Sequence, residues 1–168
     1  MIKTAVARRY AKALFELLDS ASIEPARLAL NGLGEAFTQS AELRHAVASP
    51  VFPEATKLSV LIEVATKLGC PPVVKRFLDQ LVKKNRVSFL PDIAEAFAKL
   101  VQALDPWRGQ MIFIGGWAHR LHTLHPAALK QTFEPVFTRD TDLAFANRAP
   151  LEGNIKAALE AHGFHEEF

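Results

Sequence analysis

The sequence predicts a mainly α-helical fold: a six-helix N-terminal bundle, residues 1–104, followed by a small α/β segment, residues 105–168. Over residues 1–104, apolar side chains recur every three or four positions in six stretches separated by proline, glycine or serine, which is the signature of amphipathic helices. Near Asp105-Pro106-Trp107-Arg108-Gly109 that period gives way to short apolar runs beside glycines and paired acids. The charge changes at the same place. Fourteen Lys/Arg stand against ten Asp/Glu before it, six against eight after it, and five of the six histidines lie in the second part.

Each helix follows from local chemistry. Val6, Tyr10, Ala13, Leu14, Leu17 and Leu18 line one face of the first, with Arg9, Lys12, Glu16 and Asp19 expected on the other side. The second is expected after Pro25, with Leu30, Leu33 and Phe37 as its stripe, although Gly32 and Gly34 weaken it. Ser40 is placed to cap a third over Ala41 to Ala48, closed by Ser49-Pro50. Pro53 suits the first turn of a fourth, whose stripe Leu58, Leu61, Val64, Ala65, Leu68 runs to a stop at Gly69. Pro71-Pro72 opens the fifth, with Val74, Phe77, Leu78, Leu81 and Val82 apolar and Lys83-Lys84 at the negative end of its dipole. The sixth begins at Pro91-Asp92 and carries Ile93, Phe97, Leu100, Val101 and Leu104. Short connections between such helices describe a bundle.

Composition narrows the function. The chain of 168 residues has a net charge of +2, with 49% hydrophobic and 23% charged residues, which is ordinary globular usage and excludes a disordered chain. That charge gives no footprint for nucleic acid. No apolar run is long enough to span a bilayer, and Met1 to Arg9 lacks the apolar core of a signal peptide, so a soluble cytoplasmic protein is expected. A single cysteine, Cys70, excludes an internal disulfide framework and reads as a small packing residue. Before residue 105 there is no carboxylate pair, His/Cys cluster or glycine-rich phosphate loop, which points to an interaction module rather than an enzyme.

The motifs then carry a resemblance. Ala7-Arg8-Arg9-Tyr10-Ala11-Lys12-Ala13-Leu14-Phe15, Glu42-Leu43-Arg44, Ser49-Pro50, Phe77-Leu78, Lys84-Asn85-Arg86 and Leu90-Pro91-Asp92-Ile93-Ala94-Glu95-Ala96-Phe97 resemble, in order and spacing, the delta subunit of F-type ATP synthase, the oligomycin-sensitivity-conferring protein of mitochondria. The resemblance covers residues 1 to about 104. It implies a non-catalytic six-helix domain seated on the catalytic head. In that family the domain grips amphipathic N-terminal helices of the alpha subunits and helps the peripheral stalk resist rotation, with no cofactor. Carried over from the family's first and fifth helices, the partner-binding candidates are Tyr10, Leu14, Val74, Phe77 and Leu78. For each, burial in the core is the competing assignment. Arg9 stands where the family commonly has proline. The family's C-terminal part, which reaches the stalk's b subunits, is not recognisable after residue 104.

The second part reads differently. Met111-Ile112-Phe113-Ile114 is a strand-like run before Gly115-Gly116, and Trp117 to Leu121 starts a helix. Val136-Phe137-Thr138 leads through Asp140-Thr141-Asp142 into Leu143-Ala144-Phe145, a second strand-like stretch, and Leu151 to His162 forms a helix closing at Gly163. Residues two apart on a strand face one way, so Asp140 and Asp142 would present two carboxylates, hard ligands suited to magnesium. Ile114 to Ala118 with Thr138 to Asp142 resembles the two motifs of the nucleotidyltransferase fold. The alternative function is therefore binding of nucleotide phosphate at Gly115 and Gly116 and of metal at Asp140 and Asp142. That family uses a third carboxylate, and here Glu152 and Glu160 fall on the expected helix, with Glu166 and Glu167 at the end. An inactive remnant is the competing assignment. His119, His122 and His125, with Glu134, share a spacing that suits zinc but also suits surface histidines.

Overall fold

The computed structural model describes residues 2–107, 111–114, 142–145 and 153–165, with residues 2–4 and the two middle stretches described by backbone alone. Helix α1 spans Ile2–Glu16, α2 Ser20–Gln39, α3 Ala41–Ala48, α4 Glu54–Lys67, α5 Pro72–Lys83 and α6 Leu90–Leu104. Single 3-10 turns, Val87–Phe89 and Asp105–Trp107, flank α6. Strands β1, Met111–Ile114, and β2, Asp142–Phe145, then pair, and a short helix α7 spans Ile155–Ala161.

Helix α6 is the centre of the bundle. It packs against α1, α2 and α7, while α4 lies on α5 and α3 on α2. Nine of its fifteen residues are buried, among them Leu90, Ile93 and Phe97, which are fully enclosed. Phe97 meets Phe15 of α1 with ring centroids 6.2 Å apart. Ala96, Leu100 and Ala103 form a second apolar stripe of the same helix, which Trp107 in the following 3-10 turn extends, and all four are buried. Toward α2 the approach is close: a Cβ at Gly34 would stand 3.2 Å from the Cβ of Ala94. Gly34, whose weak helix propensity counted against α2 in the sequence, is thus a packing position.

The helix ends carry out most of the expected signals. Ser40 ends α2 and begins α3, its backbone N–H donating to Ala36 and its hydroxyl accepting from the Leu43 N–H at 3.0 Å. Arg44 Nη1 donates to the Phe37 carbonyl at 2.9 Å and to that of Thr38, satisfying two acceptors left over at the end of α2. Past α4, Gly69 takes a left-handed conformation (φ 67°), and the Cys70 N–H donates back to the Ala65 carbonyl at 2.8 Å. Asn85 (φ 52°) repeats the motif after α5, the Arg86 N–H donating to Leu81 at 2.8 Å.

Two expectations fail here. Helix α2 begins at Ser20, five residues before Pro25, because Asp19 caps it, accepting the Ser22 N–H at 2.7 Å. Pro25 lies inside the helix at an exposed position, where the carbonyl deprived of its partner faces water. Glu16, expected on the polar side of α1, is 5% exposed and engaged with a neighbour.

After α6 the described chain is sparse. β1 and β2 run antiparallel, Met111 opposite Phe145 and Ile114 opposite Asp142. They coincide with the two apolar runs noted in the sequence, but the rest of the expected α/β arrangement falls outside the described residues. Helix α7 starts later than expected, at Ile155, with Asn154 capping it by accepting the Ala157 N–H at 3.1 Å. Ile155, Leu159 and Phe164 rest against the bundle core. A Cβ at Gly153 would lie 3.2 Å from Cζ2 of Trp107, so the chain leaves the bundle and rejoins it at adjoining points.

Two outcomes follow. A chain ending at residue 107 should still melt cooperatively, since most of the core precedes that point, but at a lower temperature than the full chain because α6 loses its cover; thermal circular dichroism of both checks this. The hydrogen bond from Ser22 holds the exposed Asp19 carboxyl below its usual range. A group whose folded pKa is depressed contributes stability above its unfolded pKa and loses it as pH falls through the folded one. Asp19→Ala should therefore cost about 1 kcal/mol near neutrality, with the gap from wild type closing in acid, as read from urea melts across pH.

Candidate functional site between the first and fifth helices

The surface between α1 and α5 is built on one aromatic contact. Tyr10 meets Phe77 edge to face, with centroids 6.1 Å apart and planes at 70°. Phe77 is held by its neighbours on α5: Val74 and Leu78 are fully buried, as is Leu14 on α1. Around Tyr10 the outward apolar positions of α1 recur at i, i+4, i+7 and i+11, with Val6, Tyr10 and Ala13 half-buried and Leu17 40% exposed. Val73 adds a half-buried valine one turn before Phe77.

The five residues named from the sequence thus separate. Leu14, Val74 and Leu78 have no surface to offer a partner in the folded bundle; they form the support beneath. Tyr10 is half-buried and reaches the surface, whereas Phe77, 7% exposed, belongs to the core beneath it. Val6, Ala13 and Leu17 share the outward side of α1 with Tyr10, and Val73 lies one turn before Phe77 on α5; none of the four was singled out as a partner-binding residue.

Arg9 and Lys12 are exposed on α1 and Arg76 on α5; Arg9 is engaged with a neighbour, and Asp79 is paired with Lys83 at 2.7 Å. No nucleophile is poised nearby. Cys70 is buried, and burial pushes its thiol upward, against a smaller opposing effect of Lys75. What this arrangement can do is bind an apolar helix face with acidic neighbours.

In the C-terminal part the register sets Asp142 opposite Ile114, so β2 begins at the end of the pair where β1 leads on to Gly115. Gly115, Gly116 and Asp140 lie outside the described residues, as do His119, His122, His125, Glu134, Glu152, Glu166 and Glu167. Glu160 is exposed on α7. Among the described residues, no cluster of three His, Cys, Asp or Glu side chains is arranged to hold a metal.

The family described as ATP synthase delta (OSCP) subunit matches residues 6–106, all six helices of the bundle. The chain belongs to that family. A protein named ATP synthase subunit delta from Trichlorobacter lovleyi is 39% identical over 101 residues, 60% of this chain and 56% of that protein. The match thus spans little more than half of that relative's length. Subunits of the same name from Azorhizobium caulinodans and Desulfotalea psychrophila are 33% and 31% identical over 143 and 161 residues, covering 84% and 95% of this chain and 75% and 87% of theirs. Alignments of that length run past residue 104. The family match itself ends at residue 106, close to where the likeness of the motifs ends. A second family, described as Nucleotidyltransferase, matches residues 93–166. No solved structure matches significantly.

Proposed function

We propose that this delta-family chain is a non-catalytic docking subunit of the peripheral stalk of ATP synthase, seated on the catalytic head. The trough between α1 and α5 takes an amphipathic N-terminal helix of an alpha subunit. The observation that carries this is the Tyr10–Phe77 pair, an aromatic contact at the margin of the core, supported from below by Leu14, Val74 and Leu78, with exposed cations on both helices. A helix with apolar side chains at i, i+3, i+4 and i+7 needs such a trough, and a few anchors then dominate its affinity. Those cations favour acidic residues on the flanks of the bound helix and speed its capture. Holding rather than chemistry is the task, so neither metal nor cofactor is required. No described helix is long and apolar enough to cross a membrane, and on this proposal the chain meets the membrane face only through the synthase.

A peptide copying an alpha-subunit N-terminus should bind the full chain at micromolar concentration by calorimetry. Tyr10→Ala should weaken it by about 2 kcal/mol, measured beside the roughly 0.5–1.5 kcal/mol of stability lost with the Phe77 contact. Leu14→Ala should instead cost about 2–5 kcal/mol of stability, as a fully buried leucine does. An intact protein that ignores the peptide would overturn the proposal.

The nucleotidyltransferase match over residues 93–166 supports a second reading, in which Gly115 and Gly116 bind phosphate and Asp140 and Asp142 bind magnesium. Two carboxylates without a third hold magnesium weakly. We expect calorimetry with magnesium and ATP to give no saturable heat. Tight binding abolished by Asp140→Asn would promote this reading over docking alone.

A further inference from the structure

We propose that α7 is a latch: seated on α6, it holds the two walls of the trough between α1 and α5 at the spacing that grips a helix, and its release weakens that grip. The latch presupposes that the trough docks a helix. The two walls are attached to different parts of the bundle. Helix α1 lies along α6, with Phe15 against Phe97, whereas α5 lies on α4. Across the trough, Tyr10 on α1 meets Phe77 on α5 through their rings. The place of α6 therefore decides where α1 stands relative to α5.

Helix α7 packs on α6 from the far end of the chain. It begins just after Gly153, which lies against the Trp107 ring. Ile155 and Leu159, one turn apart, rest on the core. Phe164 joins them because Gly163 (φ 85°) turns the chain back, and the Phe164 N–H donates to the Leu159 carbonyl at 3.0 Å. This cover is light. No residue of α7 is fully buried, and isolated helices shorter than about 12 residues are marginal in water, so its seven residues are helical only while seated. Such an element opens at a lower free energy than the whole fold, which gives α7 two states, seated and released. Release uncovers apolar surface on α6, and α6 reburies it by shifting within the bundle. A shift of α6 carries Phe97, and with it Phe15 and the rest of α1, away from α5. A helix bound in the trough favours the seated state by the same factor that seating adds to its affinity.

The test uses the full chain and a peptide copying an alpha-subunit N-terminus. By calorimetry, Leu159→Asp should bind the peptide at least about fivefold more weakly than wild type, the lower end of ordinary coupling between sites. Hydrogen–deuterium exchange of that variant should show α7 unprotected, with α4 and α5 protected as in wild type. In the wild-type chain, saturating peptide should slow exchange of the α7 amides by a similar factor, although α7 is no part of the trough. A merely structural α7 would not respond in this way. If Leu159→Asp also strips protection from α4 and α5, Ile155→Ala, a smaller loss of contact, carries the test. A wild-type chain that ignores the peptide removes the docking role and the latch together. Equal affinity in the wild-type and latch variants, or α7 exchange unmoved by bound peptide, overturns the latch alone.

Discussion

The bundle depends on enclosing α6 from several sides at once. A surface helix needs one apolar stripe; α6 carries two, and α1, α2 and α7 cover them. This constraint fixes the rest. With α6 inside, α1 must turn Ala7, Ala11, Leu14 and Phe15 toward it, while α2 contributes Leu30, Leu33 and Phe37. Helices α4 and α5 form a separate layer, tied to the remainder through α2 and the turn at Val87–Phe89.

Because α1 spends its inner face on α6, its remaining apolar residues have nowhere to go but outward. Tyr10 turns to α5 instead, and its edge-to-face contact with Phe77 joins helices whose backbones stay apart. The ring pair therefore sits at the margin of the core, Phe77 inside it and Tyr10 packed against it. The trough is thus a by-product of how the centre is filled, and its shape is as rigid as the core beneath it.

Much of this was legible. The Ser40 cap, the stop at Gly69, the proline start of α5 and the apolar positions of α5 and α6 are local chemistry, which one sequence records. The start of α2 was misread because Pro25 is a conspicuous signal and Asp19 a quiet one, although only the cap satisfies backbone donors. The inside and outside of α1 were not separable by periodicity. Leu14 and Tyr10 are four residues apart and share an apolar period, and it is the position of α5 that makes one support and the other surface. The cover over α6 was hidden for another reason: Trp107 and Gly153 are distant in sequence, and no periodicity links them.

The contact of Trp107 with Gly153 has an evolutionary consequence. Where a chain departs from and returns to a fold at one place, whatever lies between behaves as an insert. Lengthening such a closed excursion is cheap, each doubling adding only about 0.6 kcal/mol of closure entropy. Residues 108–152 can therefore diverge in length and sequence without disturbing the helices on either side. Change in that stretch leaves the contacts within the bundle as they are.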